Sequence, residues 1–174
     1  MKIKKSFLTF IALAAMLAAS TICNAQNMVS GSVEGLKKAG VALVDIDYSK
    51  AVIMGMGEQA FASYEEEWNK DLSDITLAFI NGINEKTGTL LSVGHSIDCD
   101  LVMKIQVISI SERGEWKCKA IVTDKQNQNL CEIDEIISKG CKIGTKMHHI
   151  KVGASNAGNK LGKFLAKQIK KLKY

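Results

Sequence analysis

The apolar residues of this chain follow a helical period in one segment and a strand period in the next, which restricts it to a fold that mixes both elements. Between positions 59 and 85 they recur at steps of three and four, the spacing of one side of an amphipathic helix. Those residues are Phe61, Tyr64, Trp68, Leu72, Ile75, Phe79 and Ile83. From Ile97 to Val107 every second residue is apolar, which is typical of a strand with one buried face. The sequence therefore predicts a long helix followed by a sheet.

Four further segments complete the predicted fold. A β-branched apolar run lies at 39–48, alternation returns at 116–122, and another apolar run occupies 130–137 after a polar turn. The last segment, 154–172, again carries a helical stripe. We predict an α+β fold in the order β-α-β-β-β-α. In it, a single domain has a three- to four-stranded mixed or antiparallel sheet with two helices packed on one face.

The first 25 residues have the pattern of an export signal. A basic head with Lys2, Lys4 and Lys5 precedes an almost unbroken apolar run at 7–19, and small or polar residues follow. Cleavage after Ala25 is expected because small residues occupy the positions that a signal peptidase reads. The sequence therefore predicts an exported protein, periplasmic or extracellular.

The boundaries after the signal depend on which peptidase cuts it. A lipoprotein signal would instead place a lipid on Cys23, but Ile22 stands where such signals normally have a small residue. We therefore favour release over anchoring. Residues 26–38 are polar, small and unpatterned, which predicts a flexible lead-in, and residues 39–174 form the single α+β domain. The chain contains no proline, so no Pro-rich linker divides it.

Lysines concentrate at the C-terminal end of the chain. Residues 154–174 contain six lysines and no acid, whereas the part between the signal and this segment is mildly acidic. Lys160, Lys163, Lys167, Lys170 and Lys171 form the predicted basic face. Such a face can bind an acidic partner or make peripheral contact with an anionic membrane surface, and the alternative is an ordinary solvated face. Nucleic acid is not expected as a partner, because aromatic residues hardly interleave with these lysines.

Small residues line another side of the same predicted helix. Ala154, Gly158 and Gly162 recur at steps of four. Residues without bulky side chains allow another backbone to come close. This spacing therefore predicts a close-packing face.

The order of elements and three segments give the chain a resemblance to known domains. The segments are an Asp-rich entry into a strand at 97–103, the strand end Val122-Thr123-Asp124, and the small-residue helix at 154–162. Over residues 39–172 they resemble periplasmic α/β domains of bacterial envelope proteins. These are the curli-export lipoprotein, the penicillin-binding-protein activator lipoprotein and the N-terminal domain of the Tol-system propeller protein. The resemblance implies a non-enzymatic envelope domain that binds other proteins.

The cysteines allow two interpretations. Cys99, Cys118, Cys131 and Cys141 follow the signal, and an even number in an exported chain permits disulfides. Cys118 and Cys131 flank the same predicted hairpin and are the candidate pair. The alternative is that they are ordinary core residues, because both lie in apolar patterns.

No other pattern points to a reaction. The neighbours His148 and His149 match no zinc spacing, and the acid pairs Asp45/Asp47 and Asp98/Asp100 are typical of solvated strand ends. We therefore predict no catalytic residue, metal or cofactor. The expected function is an exported, non-catalytic binding or assembly module that recognises another envelope protein. The alternatives are a structural envelope component that associates with itself, or an enzyme of unrecognised type.

Overall fold

A computed structural model describes residues 26–172, so the predicted signal and its cleavage site lie outside the described residues. Within this described part of the chain, eight strands form one mixed sheet. They are β1 (Asn27–Gly31), β2 (Val41–Asp47), β3 (Val52–Ile53), β4 (Met56–Gly57), β5 (Ser92–Gly94), β6 (Val102–Ile110), β7 (Trp116–Thr123) and β8 (Asn129–Ile137). The α-helices are α1 (Glu34–Ala39), α2 (Glu58–Tyr64), α3 (Trp68–Thr87) and α4 (Lys146–Lys171), with a 3-10 turn at Gly88–Leu90.

The sheet combines an antiparallel half with a parallel half. Its strand order is β1-β8-β7-β6-β2-β5, with β3 and β4 attached beside β6. Strands β6, β7 and β8 form an antiparallel meander, as the sequence predicts, and β1 adds to β8. Strand β2 runs parallel to both β6 and β5, so the chain must cross over through α3 to return to the sheet.

The predicted size of the fold is wrong, because a sheet of three to four strands with two helices underestimates both layers. The missed strands β3, β4 and β5 have two or three residues each, too few to show a period. Residues 26–38, predicted as a flexible lead-in, contain β1 and α1. Strand β1 is a largely exposed edge strand, so it lacks the alternation that marks a half-buried strand.

The helix boundaries also differ from the prediction. The apolar stripe expected to form one helix is divided between α2 and α3. The terminal helix begins at Lys146, well before the predicted start, because Thr145 caps it: its Oγ1 accepts a hydrogen bond from the backbone N–H of His148 at 3.2 Å. No helix between residues 26 and 172 is both long and apolar enough to cross a bilayer.

An aromatic cluster fixes the loop after β2 against the helices. Tyr48 lies edge-on to Trp68 and Trp116, with ring centroids 5.2 and 5.9 Å away. Phe61 and Phe79 extend the cluster from α2 and α3. The buried Trp116 indole donates to the Ile150 carbonyl at 3.0 Å, which joins β7 to α4. Aromatic pairs at these distances stabilise a core by about 0.5–1.5 kcal/mol beyond the area that they bury.

Helices α3 and α4 approach each other through glycines. A methyl group on Gly82 or Gly158 would overlap backbone atoms of the opposite helix, at Ser155 and Phe79 respectively. A methyl group on Gly162 would lie 2.6 Å from the Ile83 carbonyl oxygen. Gly158 and Gly162 of the predicted close-packing face thus lie at the crossing of the two long helices, and Ala154 is fully buried.

Replacing Gly158 by alanine is expected to lower the free energy of unfolding by about 1–3 kcal/mol, the usual cost of overpacking. Helix propensity alone favours alanine by roughly 0.5–1 kcal/mol, so a net loss shows that the backbone contact outweighs propensity. Urea denaturation followed by circular dichroism measures the change. The exposed Lys167→Ala on the same helix is the control, expected within about 0.5 kcal/mol of the parent. A stabilised Gly158→Ala protein would contradict the close approach.

Candidate functional site

Four lysines from different parts of the chain line one groove beside α4. The groove has a volume of about 370 Å³. Its lining residues are Lys86, Ile137, Ser138, Lys139, Asn156, Asn159, Lys160 and Lys163. We call it the lysine groove. No carboxylate is among these lining residues, so its walls present only cationic, amide, hydroxyl and apolar groups.

Main-chain hydrogen bonds orient the groove walls. The Lys160 ammonium donates to the Ile137 carbonyl at 3.0 Å, and the Asn156 amide donates to the Lys139 carbonyl at 3.0 Å. The Ser138 hydroxyl oxygen accepts from the buried N–H of Trp116 at 2.8 Å. These bonds attach α4 to the end of β8 and to the segment after it, and they attach that segment to β7. The backbones that carry the lysines therefore form a common frame.

One acid lies at the margin of the groove. Glu85 forms an ion pair with Lys86, which holds the pKa of the Glu85 carboxyl below its usual range, and Lys163 adds a smaller effect in the same direction. This carboxylate offsets part of the positive charge. Lys139 and Lys163 are exposed at the groove wall, so the site keeps an excess of positive charge facing solvent.

The predicted basic face is divided in the structure. Lys160 and Lys163 line the groove, while Lys167, Lys170 and Lys171 continue beyond it along exposed positions of α4. Lys86 and Lys139 were missed by the sequence argument. They come from the end of α3 and from the loop after β8, so no local period could reveal that they lie together.

A second cavity, of about 450 Å³, lies beside the first turn of α4. Met54, Met56, Tyr64, Glu112, Gly144, Lys146 and His149 line it. The Lys146 ammonium sits 4.4 Å from the Tyr64 ring centroid and donates to the Tyr64 hydroxyl at 3.2 Å. Glu65 lies 3.7 Å from the same ammonium. These partners raise the pKa of Lys146, the Tyr64 hydrogen bond most of all.

One acid of each pair from the sequence has polar partners in the structure. The Ser49 hydroxyl and then the Ser49 backbone N–H lower the pKa of the Asp47 carboxyl by donating hydrogen bonds to it, and the Lys104 ammonium lies 3.5 Å away. Asp100 pairs with Lys125 on the surface. Within residues 26–172 no three side chains of His, Cys, Asp or Glu gather as metal ligands.

The structure does not bring the two cysteines of the candidate disulfide, Cys118 and Cys131, within bonding distance. All four described cysteines are free thiols. Cys118 stands opposite Ile136 and Cys131 opposite Val122, so the two are offset along the strands. Five residues of extended strand span roughly 16 Å, and a disulfide requires Cα atoms within about 7 Å. Both side chains are instead fully buried core residues, the alternative that the sequence left open.

Thiol reactivity should separate the cysteines into two classes. Burial raises the pKa of Cys118 to about 12 and that of Cys131 to about 11, so both stay protonated and inaccessible. At about pH 8 a maleimide is expected to modify the partly exposed Cys99 and Cys141 at least tenfold faster. Mass spectrometry of timed digests measures the labelling rates. Unfolding in guanidinium should make the rates of the four cysteines equal. Fast labelling of Cys118 in the folded protein would contradict this arrangement.

Comparisons with known proteins give only a distant structural likeness. No family model and no curated protein matches the chain. A structure of the PelC dodecamer from Paraburkholderia phytofirmans is 12% identical, covering 83% of this chain and 99% of that chain, with a TM-score of 0.42. A single-substitution variant of the same dodecamer is 13% identical, covering 83% and 98%, with a TM-score of 0.41. Likeness at this level assigns neither a family nor a function.

Proposed function

We propose that the chain is an exported, non-catalytic binding module of the cell envelope that recognises an acidic segment of another envelope protein. The lysine groove carries this proposal. Lysines from α3, from the loop after β8 and from α4 meet there, although they lie far apart in the sequence. Bringing like charges together opposes folding, so an arrangement of this kind is typical of a surface that binds anions.

The chemistry of the groove favours a carboxylate-bearing partner. Lysine is a compact charge on a flexible stem, and it binds oxyanions without demanding one fixed geometry. The groove is open and elongated along α4, and exposed lysines continue past its end. An extended acidic segment of a protein can therefore contact the groove and the following turns of α4 together.

The same lining argues against catalysis. General acid–base or nucleophilic chemistry needs a nucleophile beside a base within hydrogen-bond reach. The groove contains no His, Cys, Asp or Glu, and its one hydroxyl, on Ser138, already accepts from the Trp116 backbone. Export is supported by the basic and apolar pattern of the first 25 residues.

Self-association is the second candidate, and the open face of the sheet favours it. Leu43, Val102 and Ile121 are only half buried there, and Ile108 is 40% exposed at a break in the β6 register. A face without a covering layer can pair with a second copy of the chain. If the chain self-associates, light scattering after gel filtration should show a molecular mass that rises with protein concentration. The Ile108→Lys variant should then have a lower mass than the parent at the same concentration.

Charge reversal tests the lysine groove. The double variant Lys139→Glu/Lys163→Glu is expected to bind fluorescent poly-L-glutamate about 5- to 30-fold more weakly, since each reversal costs about 0.5–1 kcal/mol at an exposed site. Fluorescence anisotropy measures the affinity at several salt concentrations. Both lysines are exposed, so the fold should persist.

The matched control reverses two exposed lysines outside the groove, Lys50→Glu/Lys70→Glu, with the same change of net charge. Lys70 lies on the first turn of α3, roughly 24 Å along the helix from Lys86. Equal weakening by both double variants would contradict a specific groove. Binding to phosphatidylglycerol vesicles but not to poly-L-glutamate would assign the groove to lipid instead.

A further inference from the structure

The second cavity contains three soft donor groups that the proposed function does not use. Met54 and Met56 supply thioether sulfurs, and His149 supplies an imidazole. The remaining lining residues are Tyr64, Glu112, Gly144 and Lys146. Methionine is common at the margins of cores, so only the placement of these particular side chains can indicate a ligand site.

Met54 occupies a backbone position that disfavours it. Ile53 pairs with Met56, so Met54 and Gly55 form the two-residue turn between β3 and β4. Both have positive φ, 49° and 84°, as a type I′ turn requires. Asn or Gly is the usual first residue of such a turn, and another residue there costs about 1–2 kcal/mol. A methionine at such a strained position points to a role for its side chain.

His149 presents one nitrogen without a partner. Its Nδ1 lies 3.1 Å from the Glu112 carbonyl oxygen, which can only accept, so Nδ1 carries the proton. The lone pair is therefore on Nε2, which is buried and has no hydrogen-bond partner. A backbone carbonyl on Nδ1 with a free Nε2 is the arrangement that orients histidine as a metal ligand.

The positively charged side chain that lines this cavity, Lys146, already has interaction partners. The Lys146 ammonium is held over the Tyr64 ring and beside the Glu65 carboxylate. These partners offset part of the Lys146 charge. The ammonium therefore repels a singly charged cation in the cavity less strongly than an unpaired lysine would. Hard cations need several oxygen ligands, and no acid cluster occurs here. Thioether sulfurs favour a soft ion such as Cu(I), and imidazole binds copper as well.

We propose that Met54, Met56 and His149 bind one cuprous ion in the second cavity. The proposal is independent of the lysine groove, which lies toward the other end of α4. The side chains of the β3–β4 turn supply two sulfurs, and the first turn of α4 supplies the nitrogen. Ion binding would join the turn to the helix and satisfy the buried nitrogen.

The test uses the full chain purified after export, with Cys99 and Cys141 replaced by serine, because accessible thiols bind Cu(I) as well. Silver(I), a redox-inert probe, is titrated by calorimetry, and Cu(I) by competition with bicinchoninate. We expect one equivalent to bind, with the His149 ring and two methionine methyl resonances shifting in NMR. Zn(II) should not compete.

Leucine replaces methionine at nearly constant volume, so Met54→Leu/Met56→Leu removes the sulfurs while keeping the packing. We expect at least a tenfold loss of Ag(I) and Cu(I) affinity, and a similar loss for His149→Gln. Met28→Leu on β1 is the control and should bind as the parent does. Circular dichroism confirms folding. Unchanged affinity in the leucine variant, or ion shifts at methionines other than Met54 and Met56, would overturn the proposal.

Discussion

The close approach of α3 and α4 is the constraint on which the rest of the helical layer depends. Gly82 on α3 and Gly158 and Gly162 on α4 leave no room for a side chain between the two backbones. At this separation, apolar side chains on either side of the contact, Phe79, Ile83 and Leu161 among them, are fully buried. Because packed interiors tolerate little added volume, the glycines fix the position of α4 over β7 and β8.

The same crossing creates the lysine groove. Lys86 follows Ile83 on α3, and its Cβ would be 3.0 Å from a methyl group on Gly162. Lys160 and Lys163 flank Gly162 on α4, so close packing brings lysines of the two helices to one edge. The hydrogen bonds from Lys160 to the Ile137 carbonyl and from Asn156 to the Lys139 carbonyl then add the end of β8 and the loop after it. The positive site is therefore a consequence of backbone packing as much as of lysine content.

How well the sequence predicts an element depends on how long its hydrophobic pattern runs. Long segments with a clear period, such as 68–87 and 102–110, gave the right type of element, because burial of one face controls both pattern and structure. Strands of two or three residues are too short to show a period. They form because they pair with segments that are distant in the sequence. Lys139 and Met54 show the same limit: each acquires its role from neighbours that only the folded chain supplies, and so local spacing could not identify either site.

Helix α4 contributes residues to two sites of different chemistry, the lysine groove and the second cavity. His149 lies on its first turn, while Lys160 and Lys163 lie more than ten residues later, roughly 16–21 Å along the axis. At that separation, substitutions at one site normally leave the energetics of the other unchanged. The soft-donor cavity depends on the β3–β4 turn, and the lysine groove depends on α3 and the loop after β8. Only a change at the glycine crossing, which sets the position of the whole helix, should alter both sites together.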